Sequence, residues 1–62
     1  MLQLTIRMEN SEKVTFFSEK YAFDNGFIKL TNAYFENEKD NKQEEVFIST
    51  SKIQSIIINK IN

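Results

Sequence analysis

The side chains able to do chemistry in this 62-residue chain are carboxylates, lysines and aromatic rings. Carboxylates gather at Glu36, Glu38, Asp40, Glu44 and Glu45, within "ENEKDNKQEE" (36–45). Oxygen ligands of this kind suit a hard cation, but a calcium loop needs Gly at its sixth position and Glu at its twelfth, a spacing this stretch lacks. The expectation is a solvated loop with no bound metal. His and Cys are both absent, so no Ser–His or Cys–His pair can form, and no side chain titrates near neutrality at its ordinary pKa. Disulfides and thiolate or imidazole metal sites are excluded for the same reason. Paired carboxylates can hydrolyse glycosides, yet so short a chain can hardly enclose the cleft that such chemistry requires. The chain is therefore expected to be no enzyme and to carry no cofactor.

The aromatic rings are the second resource. "FFSEKYAFDNGFIK" (16–29) interleaves rings with Lys20 and Lys29, a mixture found on surfaces that stack single-stranded nucleic acid. A small nucleic-acid-binding barrel using Tyr21, Phe23, Phe27, Lys20 and Lys29 is one functional expectation. Against it, phosphate recognition wants a basic groove, whereas Glu19 and Asp24 sit among these lysines. The whole chain has eight basic and nine acidic residues, for a formal net charge of −1. Their interspersion gives a soluble surface with no strong field of either sign.

Positioning such groups falls to strands. Residues 2–8, "LQLTIRM", alternate Leu2, Leu4, Ile6 and Met8 against Gln3, Thr5 and Arg7, the period of a strand with one buried face. "ENSEK" reads as a polar turn. "VTFFSEKYAF" (14–23) is rich in β-branched and aromatic residues. Asp24-Asn25-Gly26 then predicts a hairpin, because both central positions of a type I′ turn need φ > 0. That register pairs Asp24 with Phe27, Phe23 with Ile28 and Tyr21 with Leu30, and further out Phe17 with Tyr34 and Phe16 with Phe35. One face then carries Phe17, Tyr21, Phe23, Ile28, Leu30 and Tyr34, and the other Val14, Phe16, Ala22, Phe27, Ala33 and Phe35. A bulge near Ser18–Lys20 would exchange faces beyond Tyr21.

"VFIS" (46–49) predicts another strand. In "TSKIQSIIINKIN", Ser51 with Gln54 fits a helix capping box, and Ile53, Ile56, Ile57 and Ile61 have helical spacing. The triple isoleucine suits a buried strand better, so a turn at Thr50–Lys52 and a final strand are expected. The fold class is all-β: one domain over 1–62, an antiparallel sheet of about five or six strands curled into a barrel or a two-layer sandwich. No apolar run approaches the roughly 20 residues of a membrane span, and "MLQLTIRMEN" lacks the regions of a secretory signal. A cytoplasmic protein away from membranes is expected.

Apolar side chains exceed what such a sheet can hide, since a chain of this size buries only about 60% of its unfolded surface. With Leu2, Leu4, Ile6, Tyr21, Phe23, Ile28, Leu30, Val46, Ile48, Ile56 and Ile58 assigned to the core, Phe27, Phe35, Phe47 and Phe16 or Phe17 remain for the second face. Exposed together they would exceed the few hundred Å² that a monomer usually shows. The chain is therefore expected to be a self-associating, non-enzymatic protein that binds another protein. Phe27, Phe35 and Phe47 would anchor the contact, with Tyr34 adding ring area and a hydroxyl. Abundant Lys, Asn, Ile and Phe with one Arg is AT-rich usage, which fits a phage or small bacterial regulator or inhibitor.

Overall fold

A computed structural model describes residues 1–61. Six strands follow one another: β1 (Leu2–Met8), β2 (Lys13–Ser18), β3 (Lys20–Asp24), β4 (Phe27–Phe35), β5 (Gln43–Ser49) and β6 (Ile53–Lys60), with a 3-10 turn at Thr50–Lys52. All ladders are antiparallel. The fold is all-β, as expected, and the ambiguous C-terminal stretch is a turn followed by a strand as far as Lys60, its last residue lying outside the described ones.

Local chemistry explains the connections. Asn25 and Gly26 take φ of 47° and 81°, the positive values a two-residue hairpin turn demands, and the predicted pairs from Asp24–Phe27 to Tyr21–Leu30 are all present. At the β1–β2 turn Ser11 sits at φ 72°, and its N–H donates to the Met8 carbonyl at 3.0 Å. The Asn10 side-chain oxygen accepts from the Glu12 N–H at 3.1 Å, which holds a turn that lacks glycine. Ser49 caps the 3-10 turn by accepting the Ser51 N–H.

The sheet turns a corner at Ser18. Glu19 belongs to neither the β1–β2 nor the β3–β4 ladder, and Asn32, at φ 50°, has no ladder partner on β4. Each is an extra residue. Because both facing strands gain one, the hairpin register continues unchanged to Phe17–Tyr34 and Phe16–Phe35, while the face assignment reverses across the corner. Ser18 is fully buried there. Its Oγ lies 2.6 Å from the Lys20 carbonyl oxygen and 3.0 Å from that of Thr31, and its one hydroxyl hydrogen is shared between them. The Glu19 N–H also donates to the Thr31 carbonyl, at 3.0 Å. The Asn32 amide donates to the Glu19 carboxylate, tying the two extra residues together.

Two corrections follow from this corner. Phe17 and Tyr34 do not share a face with Ile28 and Leu30; they lie on the outer surface. Val14, Phe16, Ala33 and Phe35 do not share a face with Ala22 and Phe27; they turn inward with Ile28 and Leu30.

β2 and β3 thus act as one long bent strand, its first half paired to β1 and its second half to β4 alone. The order β3-β4-β2-β1-β6, with β5 on the far side of β4, curls into a half-barrel. Its concave side holds the core of Leu4, Ile6, Phe16, Ile28, Leu30 and Ala33, flanked by half-buried Leu2, Met8, Val14, Val46, Ile48, Ile53, Ile56 and Ile58. Tyr21 and Phe23 are not in it. β3 is exposed at every residue: the β1–β2 ladder ends at Leu2–Ser18, and among the described residues no strand covers the inner side of β3.

Candidate interaction surface

Strand alternation and the corner decide where each ring goes. On β4, Phe27 and Lys29 point outward while Ile28 and Leu30 point into the core; on β5, Phe47 points outward between Val46 and Ile48. Phe27 pairs with Ser49 and Lys29 with Phe47, so Phe27 and Phe47 are diagonal neighbours, about 7–8 Å apart along the sheet and within reach of one another's rings. Phe27 is 44% exposed and Phe47 58%. With Asp24 and Asn25 they line a shallow outer depression. On its other flank the Lys29 Nζ lies 3.5 Å from a Glu45 carboxylate oxygen. Both partners are largely exposed, so the ion pair adds little stability. It supplies a charged edge to an apolar pair.

The other expected anchors lie elsewhere. Tyr34 is on the outer face at the opposite end of β4, half-buried, its ring stacked on Phe17 at 5.4 Å between centroids. Phe35 is on the concave side at the mouth of the half-barrel. Its ring lies 4.5 Å from that of Phe16, which is 5% exposed. Ile6, Met8, Glu12, Val14 and Ile48 complete that mouth, so Phe35 covers the end of the core. The structure therefore brings Phe27 and Phe47 together and separates Tyr34 and Phe35 from them and from each other.

Met1, Tyr21, Phe23 and Ile57 are also exposed and were not among the expected protein-contact anchors. Tyr21 and Phe23 form an edge-to-face pair on the bare inner side of β3, centroids 6.0 Å apart. Ile57 projects from the outer face of β6 beside Thr5. Alternation places Tyr21 and Phe23 with Ile28 and Leu30 in the core, and only the nucleic-acid reading put them on the surface. Exposure of β3 depends on what packs over its inner side, which is a long-range fact.

The residues of the nucleic-acid expectation are split by the hairpin. Tyr21 and Phe23 face inward; Lys20, Phe27 and Lys29 face outward, with Lys29 engaged by Glu45. Among the described residues, no group of three or more His, Cys, Asp or Glu side chains gathers to hold a metal ion. Among the same residues no helix is long and apolar enough to cross a membrane. No family model, curated relative or solved structure matches this chain, so what the surface can do follows from its own residues.

Proposed function

We propose that this chain is a non-enzymatic, self-associating protein that binds a larger protein through the outer Phe27–Phe47 pair, as a small regulator or inhibitor. The observation that carries this reading is the pair itself. Two phenylalanines at diagonal positions on adjacent strands line one exposed depression, between Asp24 and the Lys29–Glu45 ion pair. Removing such rings from water on a partner gives roughly 25 cal/mol per Å² of apolar area, while the flanking charges select the partner and its orientation. Four of the six phenylalanines are exposed, and of these Phe27 and Phe47 lie on the outer face. AT-rich residue usage supports placing the protein among phage or small bacterial regulators.

Nucleic-acid binding is the second reading, and the Tyr21–Phe23 pair supports it. Its lysines lie on the opposite face from those rings, which weakens it. Capture by the immobilised chain from a lysate of its source organism, at low and high salt and with and without nuclease, separates the two. A protein retained at both salt levels after nuclease treatment is expected. Retention only of salt-labile nucleic acid would overturn the protein reading, because phosphate contacts weaken steeply with salt.

A further inference from the structure

We infer that two copies of this chain associate by antiparallel pairing of their β6 edges, making one sheet continuous across a two-fold axis at Ile57. The inference deepens the self-associating part of the reading above and does not depend on the Phe27–Phe47 pair.

Among the described residues β6 pairs with β1 on one side only. The Ile61 N–H donates to the Met1 carbonyl at 3.0 Å, and the ladder runs Leu2–Lys60, Gln3–Asn59, Leu4–Ile58, Thr5–Ile57, Ile6–Ile56. Hydrogen-bonded and non-bonded pairs alternate in an antiparallel ladder. Asn59 and Ile57 therefore bond β1, while Ile56, Ile58 and Lys60 aim their N–H and C=O groups at the open edge. An open row of main-chain donors and acceptors is a template for another strand.

Free edges are normally guarded by Pro, charge or bulges. The exposed edge of β3 carries Lys20 and Asp24, and that of β5 carries Glu44 and Glu45, charges that guard both edges. From Ile53 to Asn59 β6 holds no charge and no Pro, and its one register shift lies near Ile53, opposite Arg7/Met8. Uncharged, β-rich segments of this kind pair readily with themselves.

The sequence around Ile57 also matches its own reversal. With Ile57 on the axis, Ile56 opposes Ile58 of the second copy and Ser55 opposes Asn59, so the outward-aimed groups at Ile56 and Ile58 exchange bonds. Lys60 then meets Gln54, and no like charges face one another. Ile57, 58% exposed on the outer face, packs against its own symmetry mate, and half-buried Ile56 and Ile58 extend the concave apolar surface across the junction.

Sedimentation across a wide dilution series, joined to amide hydrogen exchange, tests this. Expected are a mass twofold that of the chain at high concentration, and a twofold drop in mass for Ile57→Lys under the same conditions. Exchange at Ile56, Ile58 and Lys60 should slow as concentration rises, while Ile57 and Asn59, bonded to β1, stay nearly constant. Should Ile57→Lys fail to fold, the exchange pattern of the unaltered chain decides alone. A monomer at every concentration overturns the inference, as does a dimer whose Ile56 and Ile58 amides stay unprotected. A dimer lost on Phe27→Ser/Phe47→Ser, with Ile56 and Ile58 unprotected, would overturn the edge pairing and leave the aromatic contact standing.

Discussion

Tyr21 and Leu30 face each other directly across the β3–β4 ladder, yet Leu30 is fully buried and Tyr21 is 41% exposed. The two side chains share one side of the sheet, so strand alternation cannot separate them. What differs is the neighbour beyond. Leu30 is flanked on its other side by β5 and covered by Leu4 and Ile6 of the core, while Tyr21 sits on an edge that β1 does not reach. Burial in this half-barrel is thus decided by sheet width at each point, and the outer face and the β3 edge retain large apolar side chains.

The first expected outcome separates spare rings from structural ones. Phe27→Ser and Phe47→Ser should each cost about 1 kcal/mol, the scale of a strand-propensity change at a half-exposed site. Leu30→Ala should cost about 2–5 kcal/mol through lost packing and the cavity left behind. Urea unfolding of the three variants checks this. A large loss in either phenylalanine variant would mean that those rings support the fold.

Ser18 should be intolerant of removal of its hydroxyl. Ser18→Ala leaves the Lys20 carbonyl without its 2.6 Å donor at a part-buried corner, a loss of about 1 kcal/mol. Equilibrium denaturation with an unchanged m-value is the expected signature, since a lost bond alters stability without altering the area exposed on unfolding.

The extra residue on β4 should behave as a backbone feature. Asn32→Val forces a β-branched side chain into a positive φ, which costs about 1–2 kcal/mol, and also removes the amide that holds Glu19. Asn32→Gly keeps the backbone and loses only the exposed side-chain contact, so it should melt closer to the unaltered protein than Asn32→Val does. Equal melting temperatures for the two variants would contradict this.

Gly26 isolates the same effect at the hairpin. Its φ is 81° and nothing lies within 4 Å of an added Cβ, so Gly26→Ala meets no steric obstacle and should still cost about 1–2 kcal/mol from backbone conformation alone. Thermal unfolding checks it. No change in melting temperature would show that the turn gives way elsewhere at no cost.

Much of the architecture is local in origin and could be read along the chain. Asn25-Gly26 specified the hairpin and its register, the alternation of Leu2, Leu4 and Ile6 specified β1, and the β-branched run at Ile56–Ile58 specified a final strand. The corner was readable only as an option near Ser18–Lys20. Its counterpart at Asn32 carried no signal, because Asn in a strand is compatible with an exposed position as well as with a left-handed one. The outward placement of Phe27 and Phe47 followed from alternation. The inward turn of Phe35, the outward turn of Phe17 and the bare side of β3 did not, since each depends on the corner or on the length of a strand distant in sequence.

The most direct trial of a protein-binding outer face places a photoreactive phenylalanine analogue at position 47 and, as a control, at exposed Lys13 on β2. After irradiation in a lysate of the source organism, one discrete heavier adduct is expected from position 47 and none from position 13. No adduct at 47, or the same adducts from both positions, would contradict a contact through the Phe27–Phe47 pair.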